Sequence, residues 1–107
     1  MDAEHGARRK RLDAEHIFRA GEQGIHLLFE SATIGAAFAE DPERLRAVVA
    51  RRRTELQGIL AELLSLERAE QARHFIEALP EELRHVLVVL YFELLERRLA
   101  RRGRVLH

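Results

Sequence analysis

The stretch LPEELRHVLVVLYFELLERRLARR, from Leu79 to Arg102, decides the fold. Nine of the eleven residues from His85 to Leu95 are apolar, with only His85 and Glu93 interrupting, so apolar side chains go almost all the way round a helix formed here. Such a helix must be enclosed. Pro80 suits the first helical position, Glu81 and Glu82 suit the positive end of the helix dipole, and Arg97, Arg98, Arg101 and Arg102 suit its negative end. Gly103 supplies the stop. The unbroken apolar run, Val86 to Phe92, falls far short of the roughly 20 residues that cross a bilayer, so the enclosure is by protein and no membrane partner is expected.

The remaining composition agrees with a helical core. The chain has 107 residues, room for one domain, with 47% apolar residues but only 6% aromatic, so the core is Leu, Val, Ile and Ala. Formal net charge is zero, which leaves no global field to draw in nucleic acid or an anionic surface. Cysteine is absent, which removes disulfides, thiolate nucleophiles and cysteine metal sites. Seventeen Arg against the single Lys10, with no Asn or Trp, is a composition typical of GC-rich, heat-adapted bacteria. MDAEHGARRKRLDAEH has positive charge without an apolar run behind it, unlike a secretory signal, and a cytoplasmic location is expected.

Helical spacing organises the rest of the chain. Residues 1–12 form a basic arm, residues 13–102 a single helical domain and residues 103–107 a short tail. Ala14, Ile17, Phe18, Gly21, Ile25, Leu28, Phe29, Ala32, Gly35, Ala36 and Ala39 recur every three or four residues, predicting one helix over 13–39, bent or tightly packed at Gly21 and Gly24. Ala32, Gly35 and Ala36 put small residues on one side of it, a close-contact face. Asp41 and Pro42 mark a helix start. From there Leu45, Val48, Val49, Leu56, Ile59, Leu60, Leu63 and Leu64 continue the stripe, interrupted by Arg51, Arg52 and Arg53. A break near Ser65 would divide 42–79 into two helices; otherwise it is a rod of about 57 Å. The expected class is all-α, an antiparallel bundle of three to four helices completed by self-association.

Three sets of residues carry possible chemistry. Glu22 and His26, Glu70 and His74, and Glu81 and His85 each sit four apart, while Glu82 and His85 make the Glu-x-x-His interval of carboxylate di-metal bundles. The interval occurs once, where those bundles need it twice, so Glu22, His26, Glu70, His74, Glu82 and His85 are metal candidates without a full ligand set, and no metal or cofactor is assigned. His85 also suits a core histidine bonded to a carboxylate. The aliphatic hydroxyls, Ser31, Thr33, Thr54 and Ser65, lie in no nucleophile elbow, and the reading is of a protein that is not an enzyme. Arg51, Arg52, Arg53, Arg97, Arg98, Arg101, Arg102 and Arg104 form basic patches that suit phosphates, but no aromatic residue is interleaved to stack on bases.

The segment from Leu79 through Pro80, Glu81 and Glu82 to Glu93 resembles the opening of the promoter-recognition region of bacterial sigma factors, where a Leu-Pro start leads into a Leu/Val-rich helix ahead of a helix-turn-helix. The resemblance covers about fifteen residues. It ends at Glu93, after which no Gly turn follows.

The function expected on these grounds is association: a small helical protein–protein interaction module, a regulatory or adaptor subunit acting as a homo-oligomer, with a dimer favoured. Val86, Leu87, Val89, Leu90, Tyr91, Leu94 and Leu95 are assigned to its interface or core, with Ala32, Gly35 and Ala36 as the close-contact face. The alternatives are a nucleic-acid-associated regulator using the arginine patches of a dimer and a carboxylate/His metal-binding bundle.

Overall fold

A computed structural model describes residues 12–101. The basic arm expected over 1–12 and the tail expected over 103–107 lie outside it, except for Leu12, which is half-buried against the core. Six helices run in order among the described residues: α1 Ala14–Glu22, α2 Ser31–Phe38, α3 Pro42–Arg51, α4 Arg53–Leu64, α5 Ala69–Glu77 and α6 Glu81–Arg101. These residues include no strand, and no helix long and apolar enough to cross a membrane.

α6 is the element the others cover. Leu83, His85, Val86, Leu87, Val88, Tyr91 and Leu95 are buried along it. α2 and α3 pack most closely on it, α1 lies against it further along, and α4 leans on α3 and α5. Ile17, Leu28, Phe29, Ala37, Leu45, Val48, Leu56, Leu63, Ala72 and Ile76 complete the core. Pro80 sits one residue ahead of α6, and its carbonyl accepts from the Leu83 and Arg84 N–H groups at 3.0 Å. The Arg84 guanidinium reaches back to the carbonyls of Glu77 and Leu79, which closes the end of α5.

Short helices replace the long ones that the spacing predicts. The helix expected over 13–39 ends after Glu22. Ile25 N–H bonds the Ala20 carbonyl and Gly24 N–H the Gly21 carbonyl, both at 2.9 Å, with Gly24 at φ +88°. That is the paired closure in which glycine takes the left-handed position just past a helix. Asp41 caps α3 as expected, accepting from Glu43 N–H at 3.0 Å. The stretch 42–79 is three helices, neither a rod nor a pair. The first break falls at Arg52, which leaves helical geometry and donates to Glu82 on α6 at 2.8 Å and to Glu55 at 2.9 Å. The second follows Ser65, as the weakened stripe there suggests. The fold therefore has six helices in place of three to four.

Gly21 is buried because α1 approaches α6 closely there. A Cβ at Gly21 would fall against the Tyr91 hydroxyl and lie 3.2–3.3 Å from the Leu95 methyls. Gly35 and Gly58 face open space on their helices. Gly21→Ala is expected to lower stability, because overpacking costs about 1–3 kcal/mol and offsets the helix-propensity gain of about 1 kcal/mol. Gly58→Ala, with no such contact, is expected to raise it by up to about 1 kcal/mol. Thermal and urea unfolding of the two variants measures both signs, and Gly21→Ala should cost less in a Tyr91→Phe background.

Candidate interaction surface

Burial separates the assigned α6 residues into two sets. Val86, Leu87, Tyr91 and Leu95 are core, whereas Val89 and Leu90 are half-buried and Leu94 is 46% exposed. The half-buried and exposed set lies on one side of α6, where its own chain covers it only in part. An apolar groove runs along each flank of this side. The first, between α6 and the α2–α3 pair, holds about 450 Å³ and is lined by Phe38, Leu45, Val49, Val89, Leu90 and Glu93, with Arg53 at its edge. The second, between α6 and α1 with α4, also holds about 450 Å³ and is walled by Ile17, Phe18, Leu60, Leu63, Leu64, Leu90 and Leu94, with Glu93 and Arg97 as its charged lining. Leu90 and Glu93 belong to both. Phe38 at 56%, Leu64 at 50% and Leu60 at 37% exposure stand at the lips.

Beneath this surface lies a cluster that the sequence pattern did not show. Five of the six aromatic residues, Phe18, Phe29, Phe38, Tyr91 and Phe92, meet with His26. Phe18 stacks on Tyr91 with ring centroids 5.6 Å apart, and the His26 ring lies 4.8 Å from Phe92. His26 Nδ1 and the Tyr91 hydroxyl are hydrogen-bonded at 2.9 Å. Burial depresses the His26 pKa, which keeps the imidazole neutral at neutral pH, and raises that of Tyr91. The loop leaving Gly24 carries His26 to this position. Gly24 followed by Ile25 was the available sign of that turn; nothing local in the sequence joins residues 26 and 91.

The small residues of α2 face elsewhere than toward α6. Ala32, Gly35 and Ala36 are exposed, and nothing lies within 4 Å of a Cβ at Gly35. The buried side of α2 is the neighbouring one, where Thr33 and Ala37 let the helix come close to α6. Thr33 Oγ1 donates to the Glu77 carboxylate at 2.8 Å, which ties α2 to α5.

The metal candidates are dispersed. Glu82 faces Arg52 at 2.8 Å, with Arg51 at 3.6 Å and Arg44 at 4.0 Å. His85 is bonded elsewhere: its Nδ1–H donates to Glu40 Oε2 at 2.8 Å, and the residue is 3% exposed. The structure therefore makes His85 a core histidine bonded to a carboxylate. Glu22 accepts from Arg98 at 2.9 Å, His26 bonds Tyr91, and Glu70 and His74 lie exposed on α5. Among the described residues no group of three or more His, Asp or Glu is placed to hold a metal ion.

The basic patches are partly consumed by acids of the same chain. Arg51 and Arg52 turn toward Glu82, and Arg98 binds both Glu22 and Glu15. The Arg98 hydrogen bond is the main reason that Glu15 is lowered to about 2, with Arg19 adding to it. Arg53, Arg97 and Arg101 remain exposed, and Arg102 and Arg104 lie outside the described residues. α6 continues unbroken through Glu93 to Arg101, where the sigma-factor pattern would turn. Comparison with family models, curated proteins and solved structures finds no match for this chain.

The His85–Glu40 pair gives the fold an acid-sensitive tie. The hydrogen bond from His85, aided by Arg44, holds the Glu40 carboxyl below its usual value of 4.5. A depressed carboxyl stabilises the fold above its unfolded value, and that contribution is lost as pH falls through the folded one. Glu40→Gln is expected to be less stable than the parent at neutral pH, with the difference shrinking below about pH 4.5. Urea midpoints across the acid range measure this, and a constant difference would show that the carboxylate charge plays no part.

Proposed function

We propose that this chain works by association: a small helical protein–protein interaction module of the cytoplasm, a regulatory or adaptor subunit, acting as a homo-oligomer whose helical bundle is completed by a second copy. The observation that carries the reading is the partly covered side of α6, where Val89, Leu90 and Leu94 form an apolar ridge between two apolar grooves with Phe38, Leu60 and Leu64 at their lips. Single exposed apolar residues are ordinary, but a contiguous patch of them around one helix marks an interaction surface. Most of the α6 circumference is covered within the chain. The surface left for a partner is correspondingly narrower than the sequence pattern suggested. The nucleic-acid alternative has less to work with, since Arg51, Arg52 and Arg98 are held by acids of their own chain.

Sedimentation equilibrium of the whole chain at micromolar to tens-of-micromolar concentration tests the reading. A mass of two chains is expected, reverting to one chain in Leu94→Asp with helicity unchanged by circular dichroism. A folded monomer over the whole range would overturn it.

A further inference from the structure

The charges on the partly covered side of α6 specify how two copies would meet, an inference that rests on the association proposed above. Leu90, Leu94, Arg97 and Arg101 follow one another at intervals of four, three and four residues, so they share a face, and Glu93 stands beside Leu94 one turn before Arg97. Of the other charged residues on α6, Glu82 is engaged by Arg52, Arg84 by the end of α5, and Arg98 by Glu15 and Glu22, while Glu81, Glu96 and Arg101 are exposed. Glu93 and Arg97 are exposed, and among the described residues neither has an ion-pair partner. They are also the charged groups in the lining of the groove between α6 and α4.

We infer that a second copy of this chain docks antiparallel across α6, with Leu94 of each copy beside the two-fold axis and Glu93 of each paired with the partner's Arg97. The charge order selects the direction. A parallel two-fold would set Glu93 against the partner's Glu93 and Arg97 against the partner's Arg97, and like charges facing each other across an interface are strongly disfavoured. Reversing one helix about a point near Leu95 puts each acid opposite a base, twice by symmetry, and sets the two helix dipoles against each other. The shape agrees with the same arrangement. A ridge flanked by a groove is self-complementary under a two-fold, because each ridge enters the other copy's groove. Zero formal net charge leaves no long-range repulsion between identical chains.

Charge-swap variants of the full chain, followed by sedimentation, test the inference separately from association itself. Glu93→Arg and Arg97→Glu are each expected to weaken the dimer at least about tenfold, each creating two like-charge contacts. The double variant Glu93→Arg/Arg97→Glu is expected to restore the parent dissociation constant to within about threefold, because the pairs re-form with reversed sign. Circular dichroism confirms that the helices persist. Where a reversal disturbs α6, Glu93→Gln and Arg97→Gln replace it, each with a loss of about threefold. A parent dimer that neither reversal weakens, or that the double variant fails to restore, overturns the antiparallel pairing while association stands. A monomeric parent overturns both.

Discussion

A single apolar helix longer than any of its neighbours sets the problem this chain has to solve. α6 has 21 residues, about 32 Å of rod, while the next longest helix, α4, has 12. No one partner helix covers such a rod. The chain instead lays short pieces along it, α2 and α3 on one stretch and α1 further along, and reverses between them. The break at Gly24 follows from this: it shortens a run that local periodicity alone would have continued, and it lets α1 and α2 each pack on α6. The breaks at Arg52 and Ser65 fall where the apolar stripe is already interrupted or weakened.

The polar ties repeat the pattern, since most of those with long sequence separation lead to α6. Glu40 holds His85, Arg52 holds Glu82, Glu22 holds Arg98 and His26 holds Tyr91. Short helices packed through small contacts can slide along a smooth apolar rod. A charged or hydrogen-bonded partner at a fixed position on the rod sets their register, and its burial makes the wrong register costly. These ties also explain why the arginine-rich composition does not present a continuous basic surface. Several of the cations are structural, spent within the molecule on acids brought from distant parts of the chain.

Legibility in the sequence followed the range of the interaction. The start of α3 at Asp41-Pro42, the start of α6 at Pro80 and the buried middle of α6 were readable, since capping and amphipathic period are local. The end of α1 was readable in principle, from glycine followed by an apolar residue at positions 24 and 25, but the persisting three-and-four spacing masked it. Arg52 was visible as an interruption, yet its role depends on Glu82, 30 residues away. The small residues Ala32, Gly35 and Ala36 were readable as one face of α2, but that Thr33 and Ala37 make the side buried within the chain was not, because the two sides differ little in side-chain size. The aromatic cluster had no local signal, since its members come from positions between 18 and 92 and meet only when the chain is folded.

The contact between Gly21 and Tyr91 has a consequence for how this molecule can be observed. The chain contains no tryptophan and one tyrosine, so its near-ultraviolet emission comes from one ring. That ring sits where α1 meets α6, stacked on Phe18 and bonded to His26. Loosening of the joint would expose the phenol to water while the far-ultraviolet signal of the helices stayed unchanged. The protein thus carries its own optical gauge of one internal seam, needing no dye, label or added chromophore.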